Sequence, residues 1–255
     1  MNGAKGVAKV RILLHDTSEV HELKVYDTEE LDGVRGRFRV LEFSDQAVQG
    51  VLDLNDPERI VFEYPRAIIH LIDANHTDFE DMFLIGHGIG TIARHYANRR
   101  ITAAEVDKRV AELARAFFGS EAESVRIGDG RELLEREAQD TLDVIIVDAF
   151  TKEGTPRHLA SAEFFMIAAE KLRDHGIMIM NLIGRGTRDP YIRAIHTTLH
   201  TVFSYTKAFL LSDRRTDIQN IILIGAARPI QYQERHMAGF REAILDQGYV
   251  ITDRP

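Results

Sequence analysis

The stretch MFLIGHGIGTIARHYANRRITAAEVD, residues 82–107, decides how the rest of the chain reads. Met82, Phe83, Leu84 and Ile85 form a short continuous apolar run, as expected of a parallel strand covered on both faces. Gly86, Gly88 and Gly90 follow as G-x-G-x-G. Glycine permits positive φ and lets backbone N–H groups approach a ligand with no Cβ in the way. Ile92, His95 and Tyr96 continue at helical spacing, and residues 101–106 read as the next strand. That strand delivers Glu105 and Asp107 about 20 residues after the first glycine, where a nucleotide-binding fold sets the acid that accepts hydrogen bonds from ribose hydroxyls. Strand, glycine loop, helix, strand and acid in this order point to a nucleoside site.

Beyond this unit the chain alternates strand and helix, the order of a parallel sheet wound by right-handed crossovers. Residues 108–118 read as a helix closed by Gly119. Residues 124–127 form a strand ending in Gly128-Asp129-Gly130, then 131–138 a short helix. Residues 142–147 form a strand ending in Asp148-Ala149-Phe150. A helix over 161–173 takes Ser161 as its cap, a strand covers 176–182, and a helix over 188–203 begins close to Asp189 because of Pro190. Residues 205–211 and 220–225, separated only by the polar loop 212–217, read as an antiparallel pair, and 234–245 as a closing helix.

In the other direction, residues 7–14, 21–27 and 37–43 are rich in β-branched and apolar residues, with the alternation of antiparallel strands that have one wet face at 9–12 and 37–41, and Leu31-Asp32-Gly33 is a turn between them. Asn55-Asp56-Pro57 marks a break, with Asp56 as a cap and Pro57 in the first helical position of a helix over 58–75. The expected division is an N-terminal β-strand domain over 1–55 and a Rossmann-like nucleoside-binding transferase domain over 56–255. Five parallel strands followed by an antiparallel pair make an α/β chain of the Rossmann-like class I S-adenosylmethionine-dependent methyltransferase fold.

Composition bounds the function. At 255 residues and 44% hydrophobic content the chain can bury a substantial core. A net charge of −8 argues against the broad basic face that nucleic-acid binding needs, so no nucleic-acid partner is expected. No apolar run reaches membrane-spanning length and no signal-peptide pattern opens the chain, so the expectation is a cytoplasmic protein without a membrane partner. The chain has no cysteine, and none of its 11 histidines stands in an H-E-x-x-H arrangement, so no metal is expected.

Ligands in open α/β sheets sit outside the carboxyl ends of the strands, where this chain places the glycine loop, Glu105, Asp129 and Asp148. The motifs GHGIGT, AAEVD, IGDG and DVIIVDAF, with a β-rich N-terminal region, resemble the spermidine synthase family of polyamine aminopropyltransferases, and more closely its divergent spermidine-synthase-like members. The resemblance implies transfer of an aminopropyl group from decarboxylated S-adenosylmethionine to a small-molecule amine. It implies that Glu105 binds the donor ribose, that Asp129, with Gly130 beside it, contacts the adenine amino group, and that Asp148 helps deprotonate the acceptor. Gly86, His87, Gly88 and Gly90 would form the nucleoside loop, Gln49 would match the glutamine of a D-G-x-x-Q pattern, and residues 154–159 resemble the loop that closes over the site. The family assembles as dimers or tetramers, which implies a homodimer or homotetramer.

The sequence departs from that pattern on the acceptor side. The loop carboxylate that pairs with the donor's amino group reads Ile89, and the second Asp of the D-S/T-S-D-P loop reads Thr151. The Tyr-His-Glu stretch reads Phe62-Glu63-Tyr64, which leaves Glu63, Tyr64, Phe150 and Thr151 as acceptor-pocket candidates. Ile89 is therefore expected to cost the donor an ion pair that Ile89→Asp would restore. Two alternatives stand beside aminopropyl transfer: a methyltransferase using S-adenosylmethionine on the same scaffold, and an adenosyl-ligand-binding protein without catalysis.

Overall fold

The computed structural model describes residues 10–18, 22–43, 48–120, 125–151, 154–211 and 218–254. The residues expected to extend strands at 7–9, 21 and 124, the Asp45-Gln46-Ala47 part of the glutamine pattern, and the loop 212–217 lie outside these. The chain divides into two compact units, one of residues 1–62, 88–95 and 107–123, the other of residues 63–87, 96–106 and 124–255.

In the first unit an antiparallel meander runs β1 (Val10–Thr17), β2 (Glu22–Leu31), β3 (Val34–Phe43) and β4 (Val48–Asp53), paired in that order. Asp32 (φ 48°) and Gly33 (φ 81°) make the two-residue turn between β2 and β3, the left-handed pair that suits the twist of a hairpin. The chain leaves into α1 (Glu63–Asn75) and returns for α2 (Thr91–His95), a single turn, and α3 (Lys108–Phe118). Asp107 caps α3 by accepting from the Arg109 N–H, and Gly119 ends it at φ 68°. Successive strand residues face opposite ways, so Leu23, Val25, Leu41 and Leu52 pack with Val110, Leu113 and Phe118 of α3, while Val40 and Phe38 join Val51, Val61 and Phe62 in a separate cluster. Arg39 holds the end of α3 to the sheet, donating to both Asp27 oxygens (2.8 and 3.1 Å) and to the Phe117 carbonyl (3.0 Å).

The sheet gains a strand beyond the three expected ones, β4, which carries Gln49. The helix expected from residue 58 begins at Glu63 instead. Asp53 accepts from the Asn55 N–H (2.9 Å) and from Arg59 (3.0 Å), the Arg59 N–H closes a turn on Asp56, and Ile60 bridges Leu52. The apolar residues 60–62 serve the sheet, which outweighs the helical spacing.

In the second unit the sheet runs β12 (Arg241–Ala243), β10 (Tyr205–Leu210), β11 (Gln219–Ala226), β9 (Leu172–Gly184), β8 (Leu142–Val147), β5 (Asp81–Ile85), β6 (Arg100–Glu105), β7 (Val125–Ile127). The pairs from β9 through β7 are parallel, and β11 joins β9 antiparallel. This confirms the Rossmann-like reading. Helices α4 (Gly130–Glu135), α5 (Ala162–Lys171) and α6 (Pro190–Val202) start at Asp129, Ser161 and Asp189, whose side chains accept from the first free N–H groups. Every residue of β8 is buried, and Ile145 and Val147 share a core with Phe164, Phe165, Met178, Met180 and Leu199. The expected closing helix over 234–245 is absent. Positive φ at Ala238 (51°) and Gly239 (96°) breaks it, and β12 follows, held to β10 by Lys207–Glu242 (2.6 Å).

Candidate active site

The carboxyl ends of the parallel strands in the second unit are tied edge to edge by backbone. Gly86 N–H donates to the Ala104 carbonyl (2.9 Å), Asp148 N–H to Ile85 (2.8 Å), and Gly128 N–H to Glu105 (2.9 Å). Gly86 stands at φ 92°, and a Cβ there would lie 2.0 Å from the Asp148 carbonyl oxygen. The first glycine of the loop is thus required because β8 ends against it, besides any ligand. Gly130 has a comparable reason: its Cβ would meet Ile85 Cγ2 at 2.3 Å, so glycine lets α4 lie close on β5.

Three carboxylates stand at these strand ends. Glu105 is buried and accepts from the His87 N–H at 3.0 Å, a contact that links the second strand's acid to the glycine loop. Burial holds His87 down to about 4, so its ring is neutral at pH 7. Val106, next to Glu105, is 63% exposed and offers an apolar surface there. Asp129 uses Oδ1 to accept from the Arg131 and Glu132 N–H groups, and Oδ2 meets His158 Nε2 at 2.8 Å. Burial pushes its carboxyl up, but these N–H groups and the imidazole outweigh that and leave it below the usual range.

Asp148 titrates unlike the others. Burial pushes its carboxyl up to about 6, against hydrogen bonds from Asn181 and Tyr64 that favour the ionised form, while Glu105 adds like-charge repulsion. Asn181 Nδ2 donates to Asp148 Oδ1 at 2.8 Å. The Tyr64 hydroxyl, from the first turn of α1, is driven far above its ordinary range by burial and by the charge of Asp148. A carboxyl that titrates close to neutrality suits proton transfer at physiological pH.

Thus the second unit gathers Tyr64, Gly86, His87, Glu105, Asp129, Gly130 and Asp148 from five segments. Glu63, next to Tyr64, is exposed and paired with Arg66 at 3.1 Å. Thr151 bonds the Gly154 carbonyl (3.0 Å), and Phe150 is half-buried. Gln49 on β4 and Gly88 and Gly90 at positive φ belong to the first unit. Ile89 belongs there too, 3% exposed in the cluster with Leu23, Val25 and Phe118, and Gly50 leaves room for its side chain. Ile89 is a core residue, so a carboxylate at that position would stand among apolar side chains. Sequence reading missed Asn181, and it placed His158 in the loop 154–159 without its contact to Asp129. The signal for Asn181 was there, one amide inside the apolar run 177–182. Among the described residues no helix is long and apolar enough to cross a membrane.

The description "Spermine/spermidine synthase domain" matches residues 61–222. The chain is 35% identical over 127 residues to a probable polyamine aminopropyl transferase of Bifidobacterium longum, covering 47% of this chain and 28% of that one. It is 28% identical over 209 residues to a polyamine aminopropyltransferase of Moorella thermoacetica, covering 78% and 69%. The fold is similar to that of a probable spermidine synthase from Corynebacterium glutamicum, with a TM-score of 0.73 at 23% identity over 84% of this chain and 80% of the other. Because the matched residues run from the segment that carries Tyr64, through every strand end described above, to β11, the chain belongs to the spermine/spermidine synthase domain family.

Proposed function

We propose that this protein transfers an aminopropyl group from decarboxylated S-adenosylmethionine to a small-molecule amine. The observation that carries the reading is Asp148, a carboxyl titrating at about 6, at the end of β8 on the sheet edge that also holds Glu105 and Asp129. Glu105 accepts from the ribose hydroxyls of the donor, Val106 lies along the adenine ring, and Asp129 receives the adenine amino group. Asp148 takes a proton from the acceptor ammonium. The freed nitrogen lone pair forms the C–N bond at the carbon next to the sulfonium, and the C–S pair returns to sulfur, releasing methylthioadenosine. Sulfur leaves neutral, so the residues contribute position and one proton acceptor.

The protein is proposed to work as a homodimer or homotetramer, and its donor needs no metal in this scheme. The test is incubation of the full chain with decarboxylated S-adenosylmethionine and a panel of amines, following methylthioadenosine. The expected result is amine-dependent product that Asp148→Asn lowers by about 10²–10⁴-fold, as for loss of a general base, with methylthioadenosine binding retained. Formation of S-adenosylhomocysteine from S-adenosylmethionine instead would assign methyl transfer, and adenosyl binding without product would assign a non-catalytic role.

A further inference from the structure

Behind Asp148 lies a hydrogen-bonded chain that the transfer chemistry alone does not require. Asn181 is 1% exposed and is the one polar residue in the run 177–182 of β9. A buried primary amide is costly unless both its donor and its acceptor are used. The sheet register provides for both. Val147 pairs with Met180, so Asp148, one residue on, lies beside Asn181. Asn181 pairs with Ile222 across the antiparallel β9–β11 ladder, so Asn220, two residues from Ile222, shares its face on the diagonal. Asn181 Nδ2 donates to Asp148 Oδ1 at 2.8 Å, and Asn220 Nδ2 donates to Asn181 Oδ1 at 2.9 Å. Among the described residues, the Tyr64 hydroxyl from α1 also hydrogen-bonds Asp148, and the Glu105 carboxylate from β6 acts on it by like charge.

An ionised carboxylate accepts and cannot donate, so Asn181 must present nitrogen to Asp148 for Asp148 to serve as a base. With its amide turned over, Asn181 would present oxygen, and only protonated Asp148 could satisfy it. The Asn220 donor draws the Asn181 oxygen away from Asp148. We infer that Asn220 is a positioning residue for the transfer reaction, acting through Asn181 to keep Asp148 a hydrogen-bond acceptor. Asn220 touches no reacting atom. The inference takes Asp148 as the base of the proposed function.

The test is infrared titration of the carboxyl band of Asp148 in the full chain labelled with ¹³C-aspartate, the band being identified by its loss in Asp148→Asn. Asn181→Leu removes the donor and is expected to move the midpoint upward by about one unit, a tenfold change in the proton equilibrium. Asn220→Val is expected to move it in the same direction, and Gln219→Val, on the opposite face of β11, to leave it in place. In the double variant Asn181→Leu/Asn220→Val the shift should equal that of Asn181→Leu alone, since residues acting through one another do not add. The acid limb of the transfer rate should move with the midpoint while the donor KM holds. An unmoved midpoint in Asn220→Val, or additive shifts in the double variant, would overturn the inference. If Asn181→Leu does not fold, Asn220→Val against Gln219→Val decides the question. Shifted midpoints in a protein that transfers nothing would sink the proposed function and leave only the effect of Asn220 on the Asp148 proton; transfer with a fixed midpoint would overturn the inference and leave the proposed function standing.

Discussion

Asp148 and Glu105 are both acids at strand ends, yet their surroundings set them to different tasks. A base works only when ionised, and burial holds Asp148 protonated up to about 6. The transfer rate should therefore fall as pH drops through about 6, with half-activity near that value rather than near the ordinary 3.8, and a rate–pH profile at saturating donor measures it. A limb near 4 would mean that Asp148 does not carry the proton. Glu105 already holds the His87 N–H and has acceptor capacity for ribose. Glu105→Ala should weaken methylthioadenosine binding by about 1.5–3 kcal/mol, the range for hydrogen bonds to a charged group. Calorimetry on the folded variant checks this, and unchanged affinity would remove the ribose assignment.

At the scale of elements, glycine and isoleucine in the loop after β5 answer to packing. Gly86→Ala would drive its methyl into the Asp148 carbonyl, 2.0 Å from the ideal Cβ position, at a backbone φ that alanine disfavours. The ends of β5 and β8 would have to part, so the variant should lose transfer activity and melt lower than Gly88→Ala, whose Cβ meets nothing within 4 Å. Equal melting temperatures would show that the close approach is not needed. Ile89→Asp places a carboxylate among Leu23, Val25, Val110 and Phe118. An unpaired buried charge costs several kcal/mol, so thermal melting should show a loss of about 3 kcal/mol or more and no gain of donor preference. A stable Ile89→Asp protein with a tenfold preference for the amino-bearing donor would restore the expectation read from the sequence.

For the whole molecule, the boundary at residue 55 is a proposal from chain order, whereas the compact first unit also takes in residues 88–95 and 107–123. Leu23, Val25, Leu41 and Leu52 cover Ile89, Val110, Leu113 and Phe118. A chain cut to residues 56–255 would bare that apolar face, and burial of one such side chain contributes about 1.5–3 kcal/mol. The cut chain is expected to aggregate, as size-exclusion chromatography would show. A monodisperse, cooperatively melting 56–255 fragment would mean that it needs no cover from the strands.

Much of this protein was legible in its residues because parallel strands buried on both faces must be written as short apolar runs, and the loops after them must be polar. The runs at 82–85 and 142–147 and the acids at 105, 129 and 148 follow from that rule, and the cap at Ser161 stands where the sequence puts it. Periodicity reports that a face is buried but not what covers it. Residues 60–62 and 237–245 carry helical spacing and serve sheets. The loop motif locates Ile89 but not the direction of its side chain, which the first unit's core takes. Asn181 and Asn220 are 39 residues apart, and only the antiparallel register of β11 on β9 makes them one hydrogen-bonded pair. The composition of each strand end was decided locally by the chain; the company each acid keeps, and with it the unusual titration of Asp148, was decided by tertiary structure, because burial and hydrogen-bond partners arrive from strands and helices distant in sequence.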